Sequence, residues 1–344
     1  MERALNRLWY GDSPAALLLQ PLSLIYGAVT GARRGLHAQG WLPSHRVERP
    51  VVVVGNVTVG GTGKTPLVAW LAEKLSERNL RVGILSRGYG GSERLPRLIT
   101  PSSDWRQVGD EPLLLRQRTG CPTVVSADRV AGAHALVAQD VDVILADDGL
   151  QHLRLARDCE IVVVDGSRGF GNGRLLPAGP LREPAVRVMQ ADLVVLNGAP
   201  SHASLTHQPW LRDARCVQMM LASSNALPVA AVRADRSLES LRGQRVHAVA
   251  GIGNPARFFS DLRGRGLDVV EHPFADHHPF AASDLEFGDD LPVLMTEKDA
   301  VKCRSFANPR LWYVPVTARF SDAHAAAVLE RVIGKLGFSV STTG

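Results

Sequence analysis

The sequence has few cysteines and few aromatic residues, and both shortages exclude classes of protein. Four cysteines are scattered along 344 residues, with no C-x-x-C pair and no close cysteine–histidine cluster. A zinc site and a disulfide framework are therefore not expected, and four thiols suit a reducing compartment. Aromatic residues make up 6% of the chain, and no basic stretch is interleaved with them. Because single-stranded nucleic acids are bound by basic grooves lined with aromatic rings, a nucleic-acid partner is not expected.

The chain also lacks an unbroken apolar run near its N-terminus. Residues 15–32 have about the length of a membrane-spanning helix, but they are interrupted by Gln20, Pro21, Ser23 and Thr30. The run is also too far from the start for an ordinary signal peptide. Because arginines frame it and Trp9 and Tyr26 accompany it, a helix lying in the membrane interface fits better. A buried helical hairpin broken at Pro21 is the alternative.

The bulk composition describes a globular protein with a sizeable core. Hydrophobic residues make up 45% of the chain, and the length suggests two domains. The formal charge is +5 and the sequence pI about 9.3. This mild basicity suits a nucleic acid, an anionic membrane surface or a phosphorylated substrate, and does not choose among them.

From residue 49 onward, short apolar runs alternate with segments of helical periodicity. The apolar runs, most of which end in a polar residue or a turn, are VVVV, LRVGILS, CPTVVS, VDVILADD, CEIVVVDG and ADLVVLNG. This alternation is typical of an α/β protein. It predicts a doubly wound parallel sheet that binds ligands at the carboxyl ends of its strands.

A second α/β region follows residues 210–225, where the pattern weakens. The chain then closes with an amphipathic helix that Ser321 and Asp322 open. We therefore expect four parts: an apolar membrane-associating segment (1–35), a P-loop core (36–222), a smaller α/β lobe (223–320) and a C-terminal helix that packs back on the core (321–344).

The stretch GNVTVGGTGKTP (55–66) predicts a phosphate-binding loop. It lies between an apolar strand and a helical pattern, although Thr58 stands where the usual motif has its first glycine. The glycines let the backbone wrap an anion, Lys64 reaches the β- and γ-phosphates, and Thr65 offers its hydroxyl to Mg²⁺. The residues expected to bind ATP are Thr58, Val59, Gly60, Gly61, Thr62, Gly63, Lys64 and Thr65.

Two further observations narrow the class of nucleotide site. Partitioning-type ATPases resemble this loop but carry a lysine before the paired glycines, where this chain has Val59. This difference counts against the hypothesis of a switch ATPase, which stays an alternative. Asp147 and Asp148 end an apolar run, which places carboxylates beside the loop where they can hold Mg²⁺. Two aspartates that merely open a turn are the structural alternative.

Seven motifs follow one another in a specific order. They are GNVTVGGTGKTP (55–66), SRGYGG (86–91), GDEP (109–112), SADR (126–129), ADDGLQH (146–152), PAGPLREP (177–184) and TEKDAVK (296–302). In this order they resemble the tetraacyldisaccharide 4′-kinases, the lipid A 4′-kinases, from the apolar segment to about residue 320. The loop that begins Asn56-Val57-Thr58 is itself a feature of that family.

The resemblance implies transfer of the ATP γ-phosphate to the 4′-hydroxyl of a tetraacylated glucosamine disaccharide 1-phosphate, which gives lipid IVA. It also implies Mg²⁺ and a peripheral or monotopic position on the cytoplasmic face of a Gram-negative inner membrane. The N-terminal apolar segment is then the part that contacts the bilayer. A switch ATPase acting through protein partners, and a soluble small-molecule kinase, are the competing hypotheses.

The family's catalytic aspartate falls in GDEP, which makes Asp110 the expected base. A carboxylate is a weak base without a partner, and ADHHPF (275–280) offers His277 and His278, of which we favour His277. The expected catalytic set is Lys64, Asp110, Asp148 and His277. The expected Mg²⁺ ligands are Thr65, Glu111 and Asp147. The expected substrate contacts are Arg129, Gln151, His152 and Glu183.

Several of these residues could have a structural role instead of a functional one. Glu111 could cap a helix, and Arg129 could begin a solvated one. Glu183 could order a loop rather than bind the sugar. Lys298 could contact the nucleotide or lie on a solvated helix face. Acyl-chain preference and oligomeric state are open from the sequence.

Overall fold

The computed structural model describes residues 7–11, 14–89, 91–92, 95–230 and 234–338. Residues 1–6 and 12–13 of the predicted N-terminal segment, and 339–344 of the C-terminal one, lie outside the described residues. The strands are β1 Val51–Gly55, β2 Val82–Ser86, β3 Arg97–Leu98, β4 Thr123–Val125, β5 Val143–Asp147, β6 Cys159–Asp165, β7 Leu193–Asn197, β8 Cys216–Ala222, β9 Asn225–Pro228, β10 Arg236–Ser237, β11 Arg245–Ala250, β12 Asp268–Pro273, β13 Val293–Thr296, β14 Leu311–Val314 and β15 Thr317–Arg319. The α-helices are α1 Ala15–Leu18, α2 Gln20–Ala38, α3 Lys64–Ser76, α4 Trp105–Val108, α5 Asp110–Thr119, α6 Arg129–Val137, α7 Pro255–Gly264, α8 Glu297–Cys303 and α9 Asp322–Leu336.

The first sheet has nine strands within the described residues, in the order β15-β8-β7-β6-β1-β5-β2-β4-β3. The seven inner strands run parallel, whereas β3 and β15 are antiparallel at the edges. Every residue of β1 is buried. Strands covered on both faces are expected to be continuous apolar runs, which is the pattern that the sequence shows.

Helices cover both faces of this sheet. On one face Leu71 of α3 and Val332 of α9 share a core cluster, and on the other Leu136 of α6 packs in a cluster with Trp210. The Ser321 hydroxyl caps α9 by accepting from the His324 amide. The doubly wound α/β sheet predicted from the sequence is confirmed.

A second sheet has six strands within the described residues, in the order β10-β9-β14-β13-β11-β12. Strands β11 to β14 are parallel to one another, and β9 and β10 are antiparallel. Helix α7 follows β11 and buries Phe258, Phe259 and Leu262 against it. The smaller α/β lobe predicted from the sequence is therefore present.

Two strands depart from the simple sequence pattern. Strand β8 lies in the region where the periodicity weakens, and its buried and exposed residues alternate because it is near the edge of the sheet. Strand β15 lies within the predicted second lobe (223–320), but it pairs with β8 of the first sheet, Thr317 opposite Ala222. The four segment boundaries otherwise stay predictions.

Helix α2 docks on the loop that follows β6. The Ser23 hydroxyl donates to the carbonyl of Leu175 at 2.8 Å and accepts from the amide of Ala178 at 3.0 Å. The Tyr26 hydroxyl donates to the carbonyl of Arg182. Another side of α2 exposes an apolar stripe made of Leu22, Ile25, Val29 and Leu36. None of the helices among the described residues is both long and apolar enough to span a membrane.

The packing of α9 on the first sheet leads to a stability prediction. Ile333 is buried in the core cluster of that sheet, so Ile333→Ala should lower the free energy of unfolding by about 2–5 kcal/mol. Urea denaturation measures this loss. Glu330→Ala on the exposed side of the same helix is the matched control, with an expected change of about 0.5 kcal/mol or less. Equal effects of the two changes would contradict the packing of α9.

Candidate active site

The predicted phosphate loop joins β1 to α3. Gly60 and Gly63 have φ angles of 101° and 97°, in the left-handed region that favours glycine. A β-carbon on Gly63 would also lie 2.9 Å from the side-chain Nδ2 of Asn197. This Nδ2 donates to the carbonyl of Thr62. The loop is held on its other side by the Val59 amide, which donates to the Pro180 carbonyl at 2.8 Å. Strand, loop and helix thus have the geometry that a phosphate group requires.

Asn56 is a residue of the phosphate loop that was not among the predicted site residues. Its side chain is fully buried, and its Oδ1 accepts from Lys64 Nζ at 3.0 Å. Its Nδ2 lies 3.4 Å from the carbonyl of Gly60, so one amide orients the lysine and the loop together. Because Asn56 stands one residue after β1, the strand fixes its position.

Asp147 ends β5 next to the loop and is almost fully buried. Burial raises the pKa of its carboxyl group to about 7, and the charge of Glu111 adds to the rise. Its Oδ1 has no hydrogen-bond partner. A buried carboxylate oxygen without a partner fits a cation ligand, and Thr65 lies in the first turn of α3.

The pKa of Asp148 is shifted in the opposite direction to that of Asp147. Asp148 follows β5 with φ at 50°, which an aspartate tolerates better than most residues. Its carboxylate pairs with Arg182 at 2.9 Å and with Lys64 Nζ at 3.5 Å. Although burial raises it, the charges of Lys64 and Arg182 lower the pKa of Asp148 to about 2. The two adjacent carboxylates therefore differ in protonation behaviour, because burial outweighs the charges of Lys64 and Arg129 at Asp147, whereas ion pairs outweigh burial at Asp148.

Gln151 and Glu183 form one polar network at the entrance to the loop. Gln151 Nε2 donates to Glu183 Oε1 at 2.8 Å and lies 3.2 Å from the carbonyl of Asn56. Glu183 also pairs with Arg34 of α2 at 3.3 Å. The structure thus connects α2 to the two predicted substrate contacts and to the phosphate loop.

Arg129 and His152 are held in a positively charged environment. Arg129 is 4% exposed and donates through one Nη to the Asp147 carbonyl, while Nε and the other Nη lack hydrogen-bond partners. Burial lowers the pKa of Arg129 to about 10. Burial also lowers the pKa of His152 to about 4, assisted by the charges of Arg129 and Arg87. Such a site favours an anion.

Asp110 and His277 meet across the two lobes, as the sequence reading expected. Asp110 lies at the start of α5 and is 2% exposed, and its Oδ2 is 2.9 Å from His277 Nδ1. Burial lowers the pKa of His277, but the hydrogen bond to Asp110 and the charges of Asp110 and Asp276 together outweigh it, and the net shift is upward. Burial raises the pKa of Asp110, and the hydrogen bond from His277 with the nearby lysines makes the net shift downward. His278 instead contacts Asp284 at 3.0 Å.

Lys298 lies at the centre of an ion-pair network between the lobes. Its Nζ is 3.1 Å from Glu111, 3.1 Å from Asp276 and 3.3 Å from His277 Nε2. Although burial lowers the pKa of Lys298, the charges of Glu111, Asp110 and Asp276 outweigh this effect and hold the pKa of Lys298 well above its usual range. In this structure Glu111 pairs with Lys298, and its proposed role as an Mg²⁺ ligand stays a prediction.

A second buried pair lies behind Asp110 and was not predicted. Lys302 Nζ is 2.8 Å from Asp299 and 3.7 Å from Asp110, and the side chains of Lys302 and Asp299 are both inaccessible. Asp299 also accepts from the Gly251 amide and the Thr296 hydroxyl. The spacing of Lys298 and Lys302 along α8 indicated one helical face, but the sequence held no signal for the partner of Lys302.

The fold and the two centres define a P-loop kinase, with the phosphate loop on one lobe and a carboxylate–imidazole pair shared between both. A family model described as tetraacyldisaccharide-1-P 4′-kinase matches residues 15–334, and the chain belongs to that family. The ATP-dependent kinase expected from the sequence is confirmed, and the switch-ATPase alternative is not favoured.

Individual relatives agree with this assignment. A tetraacyldisaccharide 4′-kinase of Nitrosococcus oceani is 47% identical over 98% of this chain and 97% of its own length. One of Alkalilimnicola ehrlichii is 54% identical over 88% of each chain. The solved structure of LpxK from Aquifex aeolicus in complex with ATP is 27% identical, covers 94% of this chain and 99% of its own, and has a TM-score of 0.78.

The contrast between the two aspartates leads to a pH prediction. Because the pKa of Asp147 in the folded protein is raised to about 7, ionisation of this carboxyl group destabilises the fold. This penalty is absent below pH 3.8 and reaches its full size above pH 7. Asp147→Asn should therefore stabilise the nucleotide-free protein on the order of a few kcal/mol at pH 8 and hardly at all at pH 4.

Asp148→Asn is the matched control, since the folded pKa of Asp148 is lowered to about 2. It should destabilise the protein at neutral pH, and this loss should shrink as the pH falls from 3.8 through 2. Thermal unfolding from pH 2 to 8 measures both variants. The same sign for both at pH 8 would contradict the assigned environments.

Proposed function

We propose that the chain transfers the ATP γ-phosphate to the 4′-hydroxyl of a tetraacyldisaccharide 1-phosphate, forming lipid IVA at the cytoplasmic face of the bacterial inner membrane. The observation that carries this proposal is the contact between Asp110 of the first lobe and His277 of the second, which form a candidate proton acceptor. The charges of Glu111, next to Asp110, and of Lys64 both act on Asp147, which supports a location of this pair near the phosphate loop. The lipid substrate is supported by the relatives in Nitrosococcus oceani and Alkalilimnicola ehrlichii, which are tetraacyldisaccharide 4′-kinases.

The reaction needs a proton acceptor for the hydroxyl group. The 4′-oxygen attacks the γ-phosphorus, the new O–P bond forms as the bond to the β-phosphate bridging oxygen breaks, and ADP leaves. The hydroxyl proton passes to the Asp110–His277 pair. His277 is the more accessible member of this pair, since its side chain is 22% exposed and that of Asp110 is 2% exposed. A raised imidazole pKa brings the pair closer to neutral pH than a lone carboxylate.

The phosphates need positive charge around them. Lys64, held by Asn56, contacts the β- and γ-phosphates, and Asp148 sets its direction. Asp147 and Thr65, with Glu111 nearby, are the residues that would hold Mg²⁺. When bound, Mg²⁺ neutralises the charge on the phosphate oxygens. The buried oxygen of Asp147 that lacks a partner supports this assignment.

The lipid headgroup needs both an anion site and sugar contacts. The buried guanidinium of Arg129 offers positive charge for a substrate phosphate, and the neighbouring His152, which its lowered pKa keeps neutral, offers a hydrogen-bonding imidazole. Gln151 and Glu183 offer amide and carboxylate groups for sugar hydroxyls. Because Glu183 also pairs with Arg34, the headgroup site adjoins the exposed apolar stripe of α2. This arrangement supports a peripheral enzyme whose acyl-chain side faces a bilayer.

A transfer assay tests the two centres. With labelled ATP, Mg²⁺ and the tetraacyldisaccharide 1-phosphate in micelles, Lys64→Ala should lower kcat about 100-fold or more, because a phosphate-contacting cation is lost. Asp110→Asn and His277→Gln should each lower kcat about 100- to 10,000-fold, which is the range of general base catalysis.

His278→Gln is the matched control for His277→Gln, since His278 is the adjacent histidine and contacts Asp284 instead of Asp110. It should leave kcat within about threefold of wild type. If His278→Gln were as damaging as His277→Gln, the assigned pair would be wrong. If wild type hydrolysed ATP without a lipid product, the lipid substrate would be wrong.

The apolar stripe leads to a separate membrane prediction. Changing Ile25 and Val29 together to serine removes two side chains that are each 62% exposed, so the fold should be kept. Binding to vesicles that contain anionic lipid should weaken at least about tenfold in a sedimentation assay. Met220→Ser changes an equally exposed residue of β8 and should leave vesicle binding unchanged. Equal binding of wild type and the double variant would exclude the stripe as the membrane contact.

A further inference from the structure

Arg168 is a cation beside the phosphate loop that the assignments above do not use. It follows β6 by three residues, and its guanidinium packs against Gly60. A β-carbon built on Gly60 would lie 3.1 Å from one Nη of Arg168 and 3.7 Å from the other. The absence of a side chain at Gly60, where φ is 101°, is therefore what lets the arginine approach the loop backbone.

The position of Gly60 shows which part of a bound nucleotide Arg168 would face. Asn56 links the Gly60 carbonyl, through Nδ2, with the ammonium group of Lys64, through Oδ1. The lysine of a phosphate loop reaches the β- and γ-phosphates. Gly60 and the adjacent Arg168 are therefore at the end of the loop where the γ-phosphate is transferred.

Arg168 is held in this position by two groups from different parts of the chain. Asp165 is 3% exposed, and its Oδ1 accepts from the amides of Ser167 and Arg168, which fixes the backbone turn. The ring of Tyr10 lies under the guanidinium, with the Arg168 Cζ 4.2 Å from the ring centroid. A cation over an aromatic face is attracted to it and loses side-chain freedom.

The charge that develops during the reaction suits an arginine at this end of the loop. Lys64 and Arg182 contact the carboxylate of Asp148 at the same end. Phosphoryl transfer spreads negative charge over the terminal phosphate oxygens, and an arginine can donate to two of them at once. Arg168 lies at the site where that charge develops.

We propose that Arg168 donates to the terminal phosphates of ATP during transfer, as an arginine finger supplied by the same chain, and that Tyr10 is its positioning residue. The proposal rests on the proposed function in one respect, namely that the γ-phosphate is transferred at this loop. It adds a catalytic role for the N-terminal segment. Trp9 donates through Nε1 to the Pro177 carbonyl and accepts through its own carbonyl from the Asn172 amide, so the segment is anchored next to Arg168.

Arg168→Ala tests the first half of the proposal. Because a finger acts on the transferred phosphate, kcat should fall about 100-fold or more, while KM for the lipid should stay within about threefold. Calorimetry without lipid should show that affinity for Mg²⁺–ATP falls more than affinity for Mg²⁺–ADP. Arg168→Lys should restore only part of kcat, since lysine lacks the planar fork. Arg46→Ala, whose side chain is 66% exposed on the same lobe, should change none of these quantities.

A double-mutant cycle tests the second half. Tyr10→Ala should lower kcat without changing the KM for lipid. Tyr10→Phe, which keeps the ring but lacks the hydroxyl that hydrogen-bonds Arg168, should recover part of the loss. In the Arg168→Ala background, Tyr10→Ala should have no further effect on kcat, because the two residues act through one group. Undiminished losses in both backgrounds would show that Tyr10 acts by another route and would overturn its positioning role.

The finger itself would be overturned if folded Arg168→Ala kept its kcat and its preference for ATP over ADP. Thermal unfolding establishes that each variant is folded, and Arg168→Lys provides the test if the alanine variant is not. Failure of the lipid assignment gives a different result. Wild type would then form no lipid product, while the preference for ATP over ADP would still depend on Arg168.

Discussion

The position of strand β1 between β5 and β6 is the constraint on which the site depends. Parallel neighbours end at the same edge of the sheet, so the phosphate loop after β1 meets Asp147 and Asp148 after β5 and the Asp165 turn after β6. The helices on both faces bury these strands and fix their register. The apolar core therefore fixes the positions of the site residues, which are themselves largely polar.

Much of the first lobe could be predicted because its signals are local. Apolar runs, helical periodicity and the glycine pattern each lie within a few neighbouring residues, and β1, α3 and β5 were found from them. The Asp110–His277 pair was expected from its motifs, although the two residues are 167 positions apart. Strand β8 was missed because it lies near the sheet edge, where Gln218 and Met220 are exposed and the apolar run is broken.

The remaining site residues could not be predicted, since their roles depend on distant partners. Lys298 forms an ion pair with Glu111, which is 187 positions away in the sequence. Lys302 forms an ion pair with the fully buried carboxylate of Asp299. Neither lysine differs in sequence pattern from one on a solvated helix. A buried lysine is stable only when carboxylates surround it, and that condition is met by the tertiary structure.

The second lobe leaves and rejoins the first sheet at neighbouring points. The chain exits after Ala222 and returns at Thr317, and these residues are paired in the sheet, with the Thr317 hydroxyl donating to the Ala222 carbonyl. The lobe is therefore an insertion into an edge hairpin, tethered by two crossings that run side by side. Two crossings that are hydrogen-bonded to each other restrict the lobe more than a single crossing would. Any movement of the lobe that carries His277 is therefore referred to the same sheet edge, which favours its return to Asp110.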